Sequence, residues 1–185
     1  MILLVDLCFE RESLSRCEFV DPIAYALNRA GFPYRITHYK EIRKNEVGKC
    51  DGIILCGTAL KDNAYAEHIE SFAWIKSCEK PILGICAGMQ VIGSVFGGSI
   101  VAQPAIGLEK IKIVRDSPLL GEPREIEGYH LHNFGVSLPH GFQILAGTPE
   151  QVDAFRHIVK PVYGIIFHPE VRNKWIIERF AALRD

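Results

Sequence analysis

The sequence predicts an α/β fold in which a mostly parallel sheet is flanked by helices and continues into an antiparallel extension. In the first half of the chain, short apolar runs at 2–7, 52–56 and 81–85 alternate with stretches of helical periodicity. Strands that are apolar along their whole length are typical of a parallel sheet covered on both faces. From Ile100 onward, apolar and polar residues alternate as they do in half-exposed antiparallel strands.

The predicted elements follow one another closely along the chain. Gly31 marks the end of the first long helix, and Gly97 with Gly98 marks the end of the helix that follows the strand at 81–85. We expect strands at 2–7, 34–39, 52–56, 81–85, 110–115, 124–129, 142–146, 151–158 and 162–167, and helices at 19–30, 64–77, 87–96 and 174–183. The charged segment 8–16 is predicted to be a loop.

Composition restricts the class of protein. A chain of 185 residues suits a single domain, which we place at 1–185, and the formal charge of −1 without a basic cluster argues against nucleic-acid binding. The sequence contains no run of ~18 apolar residues, the length that a membrane-spanning helix needs. The six cysteines are scattered, and the apolar start lacks the basic leader of an export signal, so we expect reduced thiols and a cytoplasmic protein.

The segment Pro-Ile-Leu-Gly-Ile-Cys-Ala-Gly-Met-Gln, residues 81–90, predicts a nucleophile. A buried strand runs directly into a helix, and Cys86 stands at the junction between Gly84 and Gly88. This is the Gly-x-nucleophile-x-Gly arrangement, in which a sharp turn lifts the side chain above the sheet and the helix N-terminus favours a thiolate. The backbone N–H of Ala87 would then stabilise an oxyanion. The alternative is that both glycines serve only close packing and Cys86 is an inert thiol.

A thiol nucleophile needs a base, and His168 is the candidate among seven histidines. His168 follows the apolar run 162–167, which places it at the carboxyl end of a strand, where open α/β sheets hold their sites. Glu170 comes two residues later, after Pro169, so its carboxylate can reach the far nitrogen of the imidazole. The alternative reading of this His-Pro-Glu segment is simple loop packing.

The residues 84–90, Gly-Ile-Cys-Ala-Gly-Met-Gln, and 164–170, Gly-Ile-Ile-Phe-His-Pro-Glu, together resemble the motifs of the class I, triad-type glutamine amidotransferases. The resemblance implies the flavodoxin-like sandwich of that family and hydrolysis of L-glutamine. It implies Cys86 as nucleophile, His168 as base and acid, and Glu170 as the residue that orients His168. Gln90 corresponds to the residue that contacts the substrate glutamine.

Within that family, three features most resemble the glutamine-hydrolysing subunit of two-subunit GMP synthases: Phe-Gly-Gly-Ser at 96–99, His132, and Leu-Pro-His-Gly-Phe at 138–142. The resemblance implies delivery of ammonia to a synthase subunit. Three segments depart from the family pattern. One is Leu-His-Asn-Phe at 131–134, where a partner-facing His-Gly-Asp or His-x-Asp is typical. Residues 56–59 read Cys-Gly-Thr-Ala where Ser-Gly-Gly-Pro is typical, and the segment 8–18 has no familiar counterpart.

The implied reaction forms and hydrolyses a γ-glutamyl thioester on Cys86. Its oxyanion would be held by the backbone N–H of Ala87 and that of Gly57 or Thr58. The chemistry requires no metal and no organic cofactor. His130 and His132 share one strand face, but no third ligand stands near them in the sequence, so we predict no metal site.

Two other functions remain open from the residues. The same three side chains could serve a free-standing cysteine hydrolase, such as a peptidase or γ-glutamyl hydrolase. A regulatory subunit with weak or no catalysis is the non-enzymatic alternative, because the 56–59 turn is unusual. Gln90 favours the amidotransferase.

Overall fold

A computed structural model describes residues 1–183. Within those residues, nine strands form one mixed sheet in the order β2-β1-β3-β4-β9-β8-β7-β5-β6. The strands are β1 Ile2–Asp6, β2 Tyr34–His38, β3 Gly52–Leu55, β4 Ile82–Ile85, β5 Ile100–Ile113, β6 Arg124–Val136, β7 Phe142–Gly147, β8 Val152–His157 and β9 Val162–Ile165. The first five in the sheet order are parallel, and the remaining pairings are antiparallel, which confirms the predicted fold class.

Helices cover both faces of the parallel part. The α-helices are α1 Leu14–Phe19, α2 Asp21–Arg29, α3 Lys44–Lys49, α4 Ala87–Val95 and α5 Lys174–Ala182, and 3₁₀ helices span Tyr39–Glu41 and Ala64–Ser77. No helix within residues 1–183 combines the length and the apolar character needed to cross a membrane.

Two apolar cores form because successive strand residues point to opposite faces of the sheet. On one face, Leu4 and Ile54 pack with α2 and α5. On the other face, Leu3 and Ile53 pack with α4 and the 3₁₀ helix Ala64–Ser77. Apolar residues on both faces explain why the parallel strands are continuous hydrophobic runs in the sequence.

Helix α3 was not predicted from the sequence, and three further elements differ from the prediction. The segment 64–77 forms a 3₁₀ helix, interrupted at His68, rather than an α-helix. Its buried residues Phe72 and Ile75 are three positions apart, which fits the three residues per turn of that helix. The charged segment 8–16, predicted as a loop, contains the start of α1 at Leu14.

The third difference is the length of the ribbon formed by β5 and β6. The sequence predicted only 110–115 and 124–129, whereas the paired strands run through 100–113 and 124–136. The register shifts between Ala102 and Ala105, where Pro104 has no N–H to donate to the ladder. A β-bulge at this point interrupts the alternation, so the sequence pattern fails there although the pairing continues.

Helix α4 packs so closely on the sheet that positions 84 and 88 require glycine. A methyl group on Gly84 would overlap the backbone of Gly88 and lie 2.6 Å from the nitrogen of Met89. On Gly88 it would overlap the carbonyl group of Leu55, at 2.8 Å from the carbon. The close approach predicted for these two glycines is therefore present, and it sets the position of the turn at Cys86.

We expect Gly88→Ala to destabilise the fold by about 1–3 kcal/mol, because the new methyl group must push α4 away from β3. Gly48→Ala is the matched control, since a methyl group there meets no atom within 4 Å and Gly48 lies in a helix. Chemical denaturation of both variants measures the difference. Equal free energies of unfolding would contradict this account of the turn.

Candidate active site

The backbone of Cys86 adopts a conformation that few residues tolerate. Its φ is 50° and its ψ is −105°, at the position directly before α4. Among residues 1–183, Glu12 is the other non-glycine residue with positive φ. The turn is held by hydrogen bonds from the Cys86 N–H to the carbonyl of Ile165 at 2.8 Å and from the Gln90 N–H to the carbonyl of Cys86 at 3.1 Å. Backbone strain of this kind is concentrated at functional sites.

His168 and Glu170 lie in the loop that follows β9, beside the Cys86 turn. The Nδ1 atom of His168 is 2.7 Å from Oε1 of Glu170, and both side chains are 1% exposed. The backbone N–H of His168 donates to the carbonyl of Tyr129 at 2.8 Å, which ties this loop to β6. The three residues that the sequence selected therefore lie together at the carboxyl edge of the parallel strands.

The charge state of His168 depends on its two neighbours. Burial alone would lower the pKa of the imidazole, but the Glu170 carboxylate and the Cys86 sulfur beside it raise that pKa well above its usual value. The Nε2 atom makes no hydrogen bond of normal geometry to residues 1–183, although the Cys86 thiol is near enough to affect it. The site therefore favours a protonated His168, with the Glu170 carboxyl group on one side and the Cys86 sulfur on the other.

Burial raises the pKa of the other buried cysteines. Burial raises the pKa of the Cys8 thiol to about 12, with the Asp6 carboxylate contributing. It also raises the pKa of Cys50, Cys56 and Cys78. Thiols with a raised pKa are poor nucleophiles at neutral pH. Cys86 differs from these four cysteines because its sulfur adjoins His168, whose pKa is raised.

Two of the predicted oxyanion donors, Ala87 and Thr58, border one small cavity at Cys86. Ala87 is the first residue of α4, so its N–H has no partner within the helix. Thr58 lies across the cavity and is 4% exposed. Gly57 packs on the His168 ring, since a methyl group there would lie 2.9 Å from Cε1. The structure thus brings Ala87, Gly57 and Thr58 around Cys86 and His168.

Gln90, for which the resemblance implied contact with the substrate, is held by two hydrogen bonds inside the protein. Its Oε1 accepts from the hydroxyl of Tyr65 at 2.6 Å, and its Nε2 donates to the carbonyl of Phe134 at 2.8 Å. Gln90 is 3% exposed and lines the same cavity as Cys86. It therefore connects α4 to β6 at the floor of the site.

The cavity above Cys86 holds only about 20 Å³, room for about one water molecule. Leu60 and Asn133 both line it, and the Asn133 amide donates to the carbonyl of Leu60 at 3.3 Å. Separating these two residues would enlarge the cavity.

Sequence reasoning missed three residues that shape the site. Phe19, at the end of α1, packs against the His168 ring with centroids 5.5 Å apart. Tyr65 binds Gln90, and Asp62 binds the hydroxyl of Thr58 at 2.6 Å. Phe19 and Tyr65 have no local signal, because they act through partners far along the chain. Asp62 could have been recognised as a turn residue four positions after Thr58.

Comparison with known proteins identifies the family. Residues 16–176 match the family model described as glutamine amidotransferase class-I. The chain therefore belongs to the class I glutamine amidotransferases, as the two motifs predicted.

Relatives within the family carry the name of the glutamine-hydrolyzing subunit of GMP synthase. The protein from Methanocaldococcus jannaschii is 35% identical over 165 residues, which cover 84% of this chain and 85% of the relative. The protein from Thermoplasma acidophilum is 33% identical over 139 residues, covering 72% of this chain and 70% of the relative.

Solved structures agree with the fold. A crystal structure assigned to the corresponding GMP synthase subunit of Thermoplasma acidophilum matches with a TM-score of 0.84 and 28% identity, covering 98% of this chain and 92% of that one. A glutamine amidotransferase from Thermotoga maritima has a TM-score of 0.70 at 18% identity, covering 95% of this chain and 80% of that one, and shares the fold.

We predict that a glutamine analogue carrying an electrophilic diazoketone labels Cys86 rapidly and leaves the other cysteines unmodified. The reason is the imidazolium beside Cys86 and the raised pKa of the other buried thiols. Peptide mapping after brief exposure locates the label, and Cys86→Ser provides the control. Modification chiefly at Cys17, which is exposed, would overturn the assignment.

Proposed function

We propose that Cys86, His168 and Glu170 are the catalytic triad that hydrolyses L-glutamine in this amidotransferase. The proposal rests on one observation above all, the buried His168 that bonds Glu170 on one side and adjoins Cys86 on the other. The strained turn at Cys86 and the two glycines beneath it are independent support.

In the first half of the reaction, the Cys86 thiolate attacks the side-chain carbonyl carbon of glutamine. The carbonyl oxygen becomes an oxyanion, which the N–H of Ala87 and that of Gly57 or Thr58 stabilise. The His168 imidazolium gives its proton to the departing amide nitrogen as the C–N bond breaks. Ammonia leaves, and the γ-glutamyl group remains on sulfur as a thioester.

In the second half, neutral His168 removes a proton from water, which attacks the thioester carbonyl at the same oxyanion site. The C–S bond breaks, glutamate leaves, and the Cys86 thiolate and the His168 imidazolium are restored. Glu170 keeps Nδ1 of His168 protonated and stabilises the charged ring in both halves.

Glu170→Gln should fold normally and reduce kcat for glutamine hydrolysis on the order of 100-fold. The loss should be smaller than in serine enzymes, because the thiolate and imidazolium already stabilise each other. Without the carboxylate, the pKa of His168 falls, so the imidazolium loses its proton at a lower pH. The alkaline limb of the plot of kcat against pH therefore shifts to lower pH.

Steady-state rates of glutamate release across a pH series check this. The control is Glu127→Gln, which removes an exposed carboxylate paired with Arg172 close to the same loop and should leave the rate unchanged. An unchanged rate and pH profile in Glu170→Gln would remove Glu170 from the proposed triad.

We further propose that the chain is the glutamine-hydrolysing subunit of a two-part synthase, with the synthase subunit of GMP synthase as the partner. The relatives whose length it largely matches bear the name of that glutamine-hydrolysing subunit. The small cavity offers a physical reason for a partner, because moving the turn at Leu60 away from Asn133 would enlarge the space that glutamine occupies. A synthase subunit docked over this edge would receive ammonia directly, before water protonates it.

The chain alone should hydrolyse glutamine slowly, and the purified synthase subunit of a GMP synthase, with its substrates, should accelerate it. A coupling of about 2–3 kcal/mol between docking and site opening corresponds to roughly 30–150-fold activation. Glutamate release with and without the partner measures the effect, with Cys86→Ala as the control for contaminating glutaminase. A fast reaction that no synthase subunit changes would instead favour a free-standing hydrolase.

A further inference from the structure

The carboxylate of Asp62 joins the turn after β3, which borders the catalytic cavity, to the segment after β1. Its Oδ2 atom accepts a hydrogen bond from the Thr58 hydroxyl at 2.6 Å and another from the backbone N–H of Phe9 at 2.6 Å. The backbone N–H of Asp62 donates to the carbonyl of Ala59 at 2.8 Å, which closes the turn between them. One side chain thus fixes the turn after β3 to the segment after β1.

The turn held by Asp62 carries two of the proposed oxyanion donors. Thr58 lines the cavity opposite Cys86 and is buried, whereas Asp62 itself is only half-buried. In the same turn, Gly57 packs against the ring of His168. The turn is therefore fixed between His168 on one side and the Asp62 carboxylate on the other.

A side-chain clamp is needed here because the sequence of the turn supplies little rigidity of its own. Residues 56–59 read Cys-Gly-Thr-Ala and contain no proline to restrict the backbone. A hydroxyl that donates to an ionised carboxylate makes a short, strong bond, and Thr58 supplies that hydroxyl from the turn itself. This bond restrains the residue whose backbone N–H is one of the proposed oxyanion donors.

We propose that Asp62 is a positioning residue of the glutaminase reaction, which holds the Gly57–Thr58 turn against Cys86 through the Thr58 hydroxyl and anchors it to Phe9. This inference rests on the proposed function, since it assigns a role in stabilising the oxyanion. Asp62 does not contact the reacting atoms. Its effect is to keep the donor in place while the tetrahedral intermediate forms.

Removing the clamp should slow acyl transfer without weakening glutamine binding. In Asp62→Ala we expect kcat to fall about 10- to 100-fold with KM changed less than about threefold, the effect of misplacing one oxyanion donor. Thr58→Val should give the same fall, and the double variant no further fall. Asp62→Asn, whose amide oxygen still accepts both bonds, should recover most of the rate. Glu67→Ala removes an exposed carboxylate from the neighbouring groove and should leave the rate unchanged.

Alkylation by iodoacetamide separates positioning from general damage. Cys86 sulfur displaces iodide from a saturated carbon in this reaction, so no oxyanion forms and the Asp62 clamp is not required. We expect Asp62→Ala to alkylate Cys86 at the wild-type rate while its kcat for glutamine falls. Equal losses in both reactions would show structural damage and overturn the proposal.

The remaining outcomes are also decisive. Full glutaminase activity in Asp62→Ala, or independent losses that multiply in the double variant, would overturn the positioning role while leaving the triad intact. Absence of glutamate release from the wild-type chain, alone and with the synthase subunit, would overturn the proposed function and this inference with it.

Discussion

The turn from β4 into α4 is the constraint on which the rest of the site depends. Cys86 can stand above the sheet edge only because its backbone takes a positive φ and because α4 approaches β3 and β4 across Gly84 and Gly88. That approach places the first N–H groups of α4 beside the sulfur, where they can stabilise negative charge. The close packing of α4 on the sheet and the positive helix end beside Cys86 therefore both follow from the geometry of this turn.

The balance of charge among buried side chains explains the arrangement of His168 and Glu170. An imidazolium is costly to bury by itself, and His168 is compensated by Glu170 on one side and the Cys86 sulfur on the other. The three groups therefore form an interdependent set, in which removing one changes the protonation of the next. Because β6 holds the loop through the carbonyl of Tyr129, the antiparallel ribbon also has a part in placing His168.

The sequence predicted the parts of the molecule that depend on neighbours in the chain. Apolar runs identified the parallel strands, and the spacing around Cys86 and within His168–Glu170 identified the candidate triad. What it missed depends on contacts between distant segments. The ribbon extends past the bulge at Pro104 because pairing with β6 compensates a local defect. The bonds of Asp62 to Phe9 and of Tyr65 to Gln90 join residues whose separation no sequence period reveals.

The central claim is that glutamine is hydrolysed through a γ-glutamyl thioester on Cys86. Rapid mixing with glutamine, acid quenching and peptide mapping by mass spectrometry test it most directly, together with hydroxylamine as a competing acceptor. The account predicts a γ-glutamyl group on Cys86 and formation of γ-glutamyl hydroxamate at the expense of glutamate. Steady glutamate release with unmodified Cys86 and no hydroxamate, or a γ-glutamyl group on another residue, would contradict it.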